Sequence, residues 1–497
     1  MTDGWETLQS SPGRIESSPS GRKTVWTLAI SVLLILPCVW QKRIQAGDLA
    51  SHTYNAWLTQ LVSEGRAPGL FLVTQWNNVV IDLMLAKLGP VVGYGGAERI
   101  TVATCVLVFF WGAFHLIGVA SGRDPWRLVP ALAMVAYGWT LQMGFLNYYL
   151  SLGLAFFALA CLWQGGRGRW LTGLLLAVVS LLAHPIGFLW LIGTAAYVLV
   201  AGRIHTKHRW ILFLAAIVGL CALHLFVSHY FKPHGAVGLQ FYRYLGPDQL
   251  IIYGKRYRVI ALAFLLLSGA IALEAWFRSK TKLDLLRRGQ ASLELWALSV
   301  LGIAMFWEGI SISKYGTGLT FLPERLTSIV VVMLICVLSV AAPRTWHLVA
   351  MLLCASVFFR WMWQDMRTLN QMEDQVVSLV SSLPADSRVI QTIWPLPGHR
   401  VDADHIVDRA CIGRCFSYAD YEPSSLQFRI RVQPGSPIAV SSAVDGLAMR
   451  EGRYLVRPTD PSLVEIYQCD EQDPIKLCLR KLVPGEVNGS VGYRPKY

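Results

Sequence analysis

The sequence predicts a polytopic α-helical membrane protein that carries a small extracytoplasmic α/β domain at its C-terminal end. Three observations predict it. Of 497 residues, 54% are apolar or aromatic and 15% are charged, far below the quarter typical of soluble chains. Apolar runs of the roughly 20 residues needed to cross a bilayer recur from Thr24 to Trp363. Beyond Asp365 those runs stop, and the polar remainder holds a cluster of four cysteines. The net charge of +13 sits in short basic clusters between apolar runs, the pattern of membrane orientation and not of a nucleic-acid surface, so no nucleic-acid partner is expected.

Residues 1–23 are rich in Ser, Gly and Pro and end in Arg22-Lys23, which predicts a disordered cytoplasmic tail. The run Thr24 to Trp40 follows too long a polar segment, and lacks the small-residue cleavage site, to be a removable signal peptide; it reads as an uncleaved anchor. Residues 41–97 then form the first outside loop. Within it, Phe71 to Val92 is apolar enough to cross but carries Asn77, Asn78, Asp82 and Lys87. If this segment lies at the surface, the clusters Arg123/Arg127, Arg167/Arg169, Arg203/Lys207/Arg209 and Arg278 to Arg288 all fall in cytoplasmic loops, as the positive-inside rule requires.

Further spans are read at 98–119, 127–143, 147–163, 170–182, 185–201, 210–230, 259–277, 292–307, 324–341 and 345–363, giving about 11 in a membrane domain over 24–364. The N-terminus is then inside, and the domain at 365–497 outside, in a multi-pass protein of the plasma (inner) membrane. One loop runs against the rule, because Lys232, Arg243, Lys255, Arg256 and Arg258 face outward; those charges are either solvated or bind an anion. The tail reads as an amphipathic helix near Gln371 to Leu383 with strands near Arg388 to Ile393, Tyr454 to Arg457 and Leu463 to Cys469. Cys411, Cys415, Cys469 and Cys478 permit two disulfides in three connectivities, consistent with an oxidising compartment.

The segment Gly47 to Leu61 is where chemistry is expected. At 3.6 residues per turn Asp48, His52, Asn55 and Thr59 share one stripe, opposite Tyr54, Trp57, Leu58 and Leu61. The spacing predicts an interfacial helix with an ionisable face. Asp48 can be a simple N-cap, but a cap alone leaves the stripe through His52 and Asn55 unexplained. Asp402, Asp404, His405 and Asp408 offer either a metal site or a solvated loop.

An acidic residue just after the first span, a juxtamembrane helix and then the turn Glu64-Gly65-Arg66-Ala67-Pro68-Gly69 resemble the membrane glycosyltransferases of the GT-C fold, which include protein mannosyltransferases and aminoarabinose transferases. The resemblance implies a GT-C-like membrane domain, a catalytic Asp48 with His52 beside it, and a sugar donor on polyprenyl phosphate held among membrane lipid. It also implies donor or acceptor contacts from Asn55, from Tyr148 in Asn147-Tyr148-Tyr149, from His184 before Pro185, and from Arg325 in Leu322-Pro323-Glu324-Arg325, with Arg325 or the cluster Lys255, Arg256 and Arg258 on the lipid phosphate. The patterns at Tyr148, His184 and Arg325 also read as an interfacial Tyr belt, a Pro-kinked turn and a cation snorkelling to the headgroups. The chain departs from the family in having a single Asp48 with His52 in place of a doubled acidic pair, and no Lys-Pro-Pro segment, which leaves a divalent-metal cofactor open. A transporter or flippase is the alternative, with few ionisable residues in mid-span beyond His115, His224 and Glu274 to support it; a non-catalytic assembly protein is the third reading.

Overall fold

The computed structural model of the chain describes residues 20–235, 244–312, 317–401 and 405–489. Most of the expected N-terminal tail, Arg243, Asp402 and Asp404 lie outside those residues. The protein is mainly helical, with a mixed sheet in its C-terminal region.

Helices α1 (Ser20–Ile35), α2 (Leu49–Ser63) and α3 (Val80–Val92) precede α4 (Tyr94–Ser121). The chain continues through α5 (Val129–Ala136), α6 (Trp139–Gln142), α7 (Leu146–Gln164), α8 (Arg167–Ala183), α9 (Pro185–Ala201) and α10 (Arg209–Tyr230). Then come α11 (Arg258–Arg278), α12 (Lys282–Met305), α13 (Leu322–Val340) and α14 (Thr345–Ser381). Among the described residues six helical stretches are long and apolar enough to cross a membrane: Tyr94–Ser121, Leu146–Gln164, Thr206–Tyr230, Tyr257–Arg278, Leu322–Val340 and Thr345–Ser381. Two shorter apolar helices, Lys23–Cys38 and Pro185–Ala201, accompany them. This is a multi-pass membrane architecture, with fewer full-length spans than the sequence anticipates.

The difference has local causes. The expected span at 127–143 is not one helix: it breaks at Gly138 into α5 and α6, and nearly all of it is buried in protein. Broken backbone at membrane depth is tolerated only where protein covers it. Residues 170–182 fall in the 17-residue α8, and the first turns of α12 are polar, with Asp284, Arg287 and Arg288.

Helices α4, α7 and α13 form the buried centre. There α7 and α4 approach to backbone contact: a Cβ on Gly153 would lie 2.7 Å from the Phe109 backbone, which only a glycine admits. By contrast α10 is almost entirely uncovered by protein, as a lipid-facing helix should be.

The segment around Phe71 to Val92 does not form a span. Helix α3 has 13 residues, about 20 Å at 1.5 Å per residue and too short for a core of about 30 Å. Strand β1 (Leu70–Leu72) pairs antiparallel with β7 (Ile430–Val432), which ties the first loop to the C-terminal region. That region is built on a four-stranded sheet ordered β6-β5-β8-β9, with β5 (Arg388–Thr392) parallel to β6 (Phe416–Ser417) and β8 (Leu463–Gln468), and β8 antiparallel to β9 (Leu477–Lys481). The expected strand at Tyr454 to Arg457 is only an isolated bridge, Leu455 to Val487. Helix α14 is continuous for 37 residues through position 365 and joins the apolar helices to the C-terminal region without a linker. The clustered cysteines pair as Cys411–Cys415 and Cys469–Cys478, which fits an extracytoplasmic location.

Candidate functional site

Helix α2 is the centre of the site, and its polar face is covered by protein instead of lying open to solvent. From Leu49 to Ala56 it is buried on every side, because the C-terminal region covers its polar stripe. Polar side chains buried in this way require partners, and they find them across the covering surface. Ser51 Oγ donates to Asp420 Oδ1 at 2.9 Å, and Asn55 Nδ2 donates to Asp420 Oδ2 at 2.7 Å. His52 Nδ1 lies 2.7 Å from Glu422 Oε1 and 3.9 Å from Asp82 Oδ1 at the start of α3. On the opposite face the Ser417 backbone N–H donates to the Tyr54 hydroxyl at 3.0 Å, and Trp57 stacks on Phe416.

Asp48 stands at the head of α2, and its side chain makes no capping hydrogen bond. Its backbone is instead fixed from behind. The Gly47 and Asp48 N–H groups donate to the Gln142 and Met143 carbonyls at 2.8 and 3.0 Å. Gly144, at φ +80°, comes so near that a Cβ would be 2.5 Å from the Asp48 nitrogen. The carboxylate itself is 27% exposed, takes no hydrogen bond among the described residues, and has His405 Nε2 at 3.8 Å from Oδ1.

His405 precedes α15 (Ile406–Cys411). Its Nδ1 is held by Asp408 Oδ2 at 2.8 Å, and Asp408 Oδ1 accepts from the Ser417 hydroxyl. That bond fixes the ring and directs Nε2 to Asp48. Helix α15 is clamped in turn by Arg409, which donates to Glu98 on α4 at 2.9 and 3.0 Å and to Glu373 on α14 at 2.7 and 2.8 Å.

The cluster is rich in carboxylates, and this sets its protonation. Burial alone would lower the His52 pKa, but the charge and hydrogen bond of Glu422, with Asp82 and Asp48 beyond, raise it to about 10. His405 is likewise disfavoured as a cation by burial, yet Asp408 and Asp48 raise it to about 9. Burial raises the Asp82 carboxyl to about 7, with Glu422 adding to the shift and His52 opposing it. Asp420 is pushed well above the carboxylate range by burial and by the charges of Asp408 and Glu422. Ligand atoms of His405, Asp408 and Asp420 lie within 4.8 Å of one another, so these three could hold a divalent cation.

The other sequence-selected residues divide into two sets. Arg325 opens α13 within electrostatic range of Asp48, Tyr148 and Tyr421, and its guanidinium lies 3.5 Å from the Phe145 ring centroid. The Tyr148 hydroxyl donates to the Arg325 carbonyl at 2.9 Å, and its ring meets His184 edge-on. Asp48, Arg325, Tyr148 and His184 therefore belong to one neighbourhood. Arg256 does not aim at it: the guanidinium is paired with Asp365 at 2.6 Å and lies over Tyr257 and Trp361. Lys255 and Arg258 are exposed and have no acidic partner among the described residues.

Sequence reasoning passed over Asp82, Asp420 and Glu422. The available signal was the polar stripe itself, since Ser51, His52 and Asn55 demand facing polar groups. Comparison of the chain with protein-family models, curated proteins and solved structures finds no match.

Proposed function

We propose that the protein is an integral-membrane glycosyltransferase that moves a sugar from a polyprenyl-phosphate donor to an acceptor hydroxyl on the outer side of the membrane. The observation that carries this reading is the Asp48 carboxylate. It is backbone-fixed, unbonded and part-exposed beside Arg325 at the end of a membrane helix. In the proposed step Asp48 takes the proton of the acceptor hydroxyl, the acceptor oxygen bonds to the anomeric carbon, and the bond from that carbon to the phosphate oxygen breaks. The electron pair leaves with the polyprenyl phosphate, whose charge Arg325 neutralises. His405 Nε2, 3.8 Å from Oδ1, faces the Asp48 carboxylate from the C-terminal region. General-base catalysis of this kind contributes about 10²- to 10⁴-fold.

Asp48→Asn keeps the shape and removes the base. With a panel of polyprenyl-phosphate monosaccharides, release of polyprenyl phosphate should fall at least about 100-fold, while native mass spectrometry still finds the donor bound. An Asn variant that turns over normally assigns the base elsewhere. Wild-type protein that binds none of the panel rejects the donor class and returns the transporter and assembly readings.

A further inference from the structure

The face of the membrane domain opposite Asp48 carries a second site. Helix α9 starts at His184, near Arg325, and its 17 residues carry the chain about 25 Å away, so the turn Thr206–His208 that follows lies on the far side. There, between that turn and the first half of α12, is a cleft of about 350 Å³ lined by Thr206, Lys207, Leu286, Arg287, Gln290 and Glu294, among others. Its walls are apolar, and its rim is cationic.

The charge balance of the cleft is one-sided. Its acid, Glu294, is already saturated: Arg209 pairs with Oε2, the Tyr197 hydroxyl donates to Oε2 at 2.8 Å, and Gln290 Nε2 donates to Oε1 at 2.9 Å. Lys207 and Arg287 have no acidic partner among the described residues. Beside the cleft, α10 turns Trp210, Ile211, Leu214 and Val218 outward, a continuous apolar track along a helix that protein hardly covers.

We propose that this cleft binds an anionic phospholipid from the adjoining leaflet, with the phosphate between Lys207 and Arg287, the glycerol region against Leu286, and the acyl chains along α10. Two unpaired cations at the mouth of an apolar cleft match a headgroup joined to hydrocarbon; a free soluble anion would leave the leucine walls and the α10 track unused. The proposal rests on the membrane architecture and is independent of the chemistry at Asp48.

The test uses the full chain in neutral detergent, with phosphatidylglycerol, phosphatidylcholine or inorganic phosphate added, read by native mass spectrometry and by thermal unfolding. Phosphatidylglycerol should be retained at least 10-fold more than phosphatidylcholine and should raise the unfolding temperature. Lys207→Ala with Arg287→Ala should abolish that preference, and Leu286→Trp, which fills the cleft and leaves the charges, should weaken retention as well. Equal retention of the two lipids, full stabilisation by inorganic phosphate alone, or an undiminished preference in the double-alanine variant would each overturn the assignment. Both alanine positions are exposed, and the unfolding temperature without lipid verifies that the variant is folded.

Discussion

Arg409→Ala should loosen the C-terminal region from the membrane domain, and the structure sets the size of the effect. The Arg409 side chain is 9% exposed, Glu98 is 3% exposed and Glu373 is fully buried. Removing one member of a buried ion pair costs about 3–5 kcal/mol, mostly because the remaining charge is left buried alone. Here the two carboxylates do not suffer equally. Glu373 keeps Arg43 at 3.2 Å and Gln45 at 2.6 Å, while Glu98 loses its only ionic partner among the described residues. The cost should therefore lie near 3 kcal/mol, or about a 100-fold rise in opening, given 1.4 kcal/mol per factor of ten. Hydrogen exchange of Ile406–Cys411 and of β5 in detergent-solubilised protein measures that opening directly. Glu98→Gln introduced into the Arg409→Ala protein should recover part of the loss, because it removes the orphaned charge. Unchanged exchange in Arg409→Ala, or purely additive losses in the double variant, would refute the clamp.

Three further outcomes follow from the same structure. Because His52 and His405 are raised from 6.5 to about 10 and about 9, the folded state holds protons that the unfolded chain releases, so their stabilisation is complete below pH 6.5 and is lost between there and pH 9–10; unfolding temperature should fall with rising pH over that window, and a rise would reverse the assignment. Asp82, raised from 3.8 to about 7, is instead a burden that grows as pH rises from 3.8 and is complete above 7, so Asp82→Asn should leave stability nearly unchanged below pH 4 and improve it most at pH 8. Alkylation of the denatured, unreduced chain should label six of its ten cysteines, with all ten labelled after reduction; losing the Cys411–Cys415 bridge should cost roughly 2 kcal/mol for so short a loop.

The sequence makes the membrane class legible because hydropathy over about 20 residues is a local property. The polar stripe Asp48, His52, Asn55 is legible for the same reason: helical periodicity needs no partner to be read. What the stripe faces is not local. Ser51 and Asn55 meet Asp420, and His52 meets Glu422, across more than 360 residues of chain, and no spacing rule connects them. The broken helix at 127–143 is hidden because a buried, broken segment is as apolar as a span, and hydropathy cannot distinguish protein cover from lipid cover.

Two charge clusters join the C-terminal region to the first loop, and their contrast bears on which of them does chemistry. The cluster of Arg409, Glu98, Glu373 and Arg43 is closed: two arginines face two glutamates, and both Arg409 and Glu373 are engaged from several sides. Such a balanced arrangement is what a structural clamp requires. The cluster around α2 is not balanced. Asp48, Asp82, Asp408, Asp420 and Glu422 are opposed at short range by His52 and His405, and burial, with the neighbouring carboxylates adding to it, raises the pKa values of Asp82 and Asp420. A cap or a spacer would gain nothing from so many neighbouring carboxylates, each expensive to bury. An excess of negative potential at the part-exposed Asp48, with Arg325 within electrostatic range, suits a site that accepts a proton on one side and holds an anion on the other. Replacing Arg325 by Gln therefore separates the two halves of the proposal: donor retention should fall while the His52 and His405 network stays closed, and unaltered donor retention would remove the anion from this site.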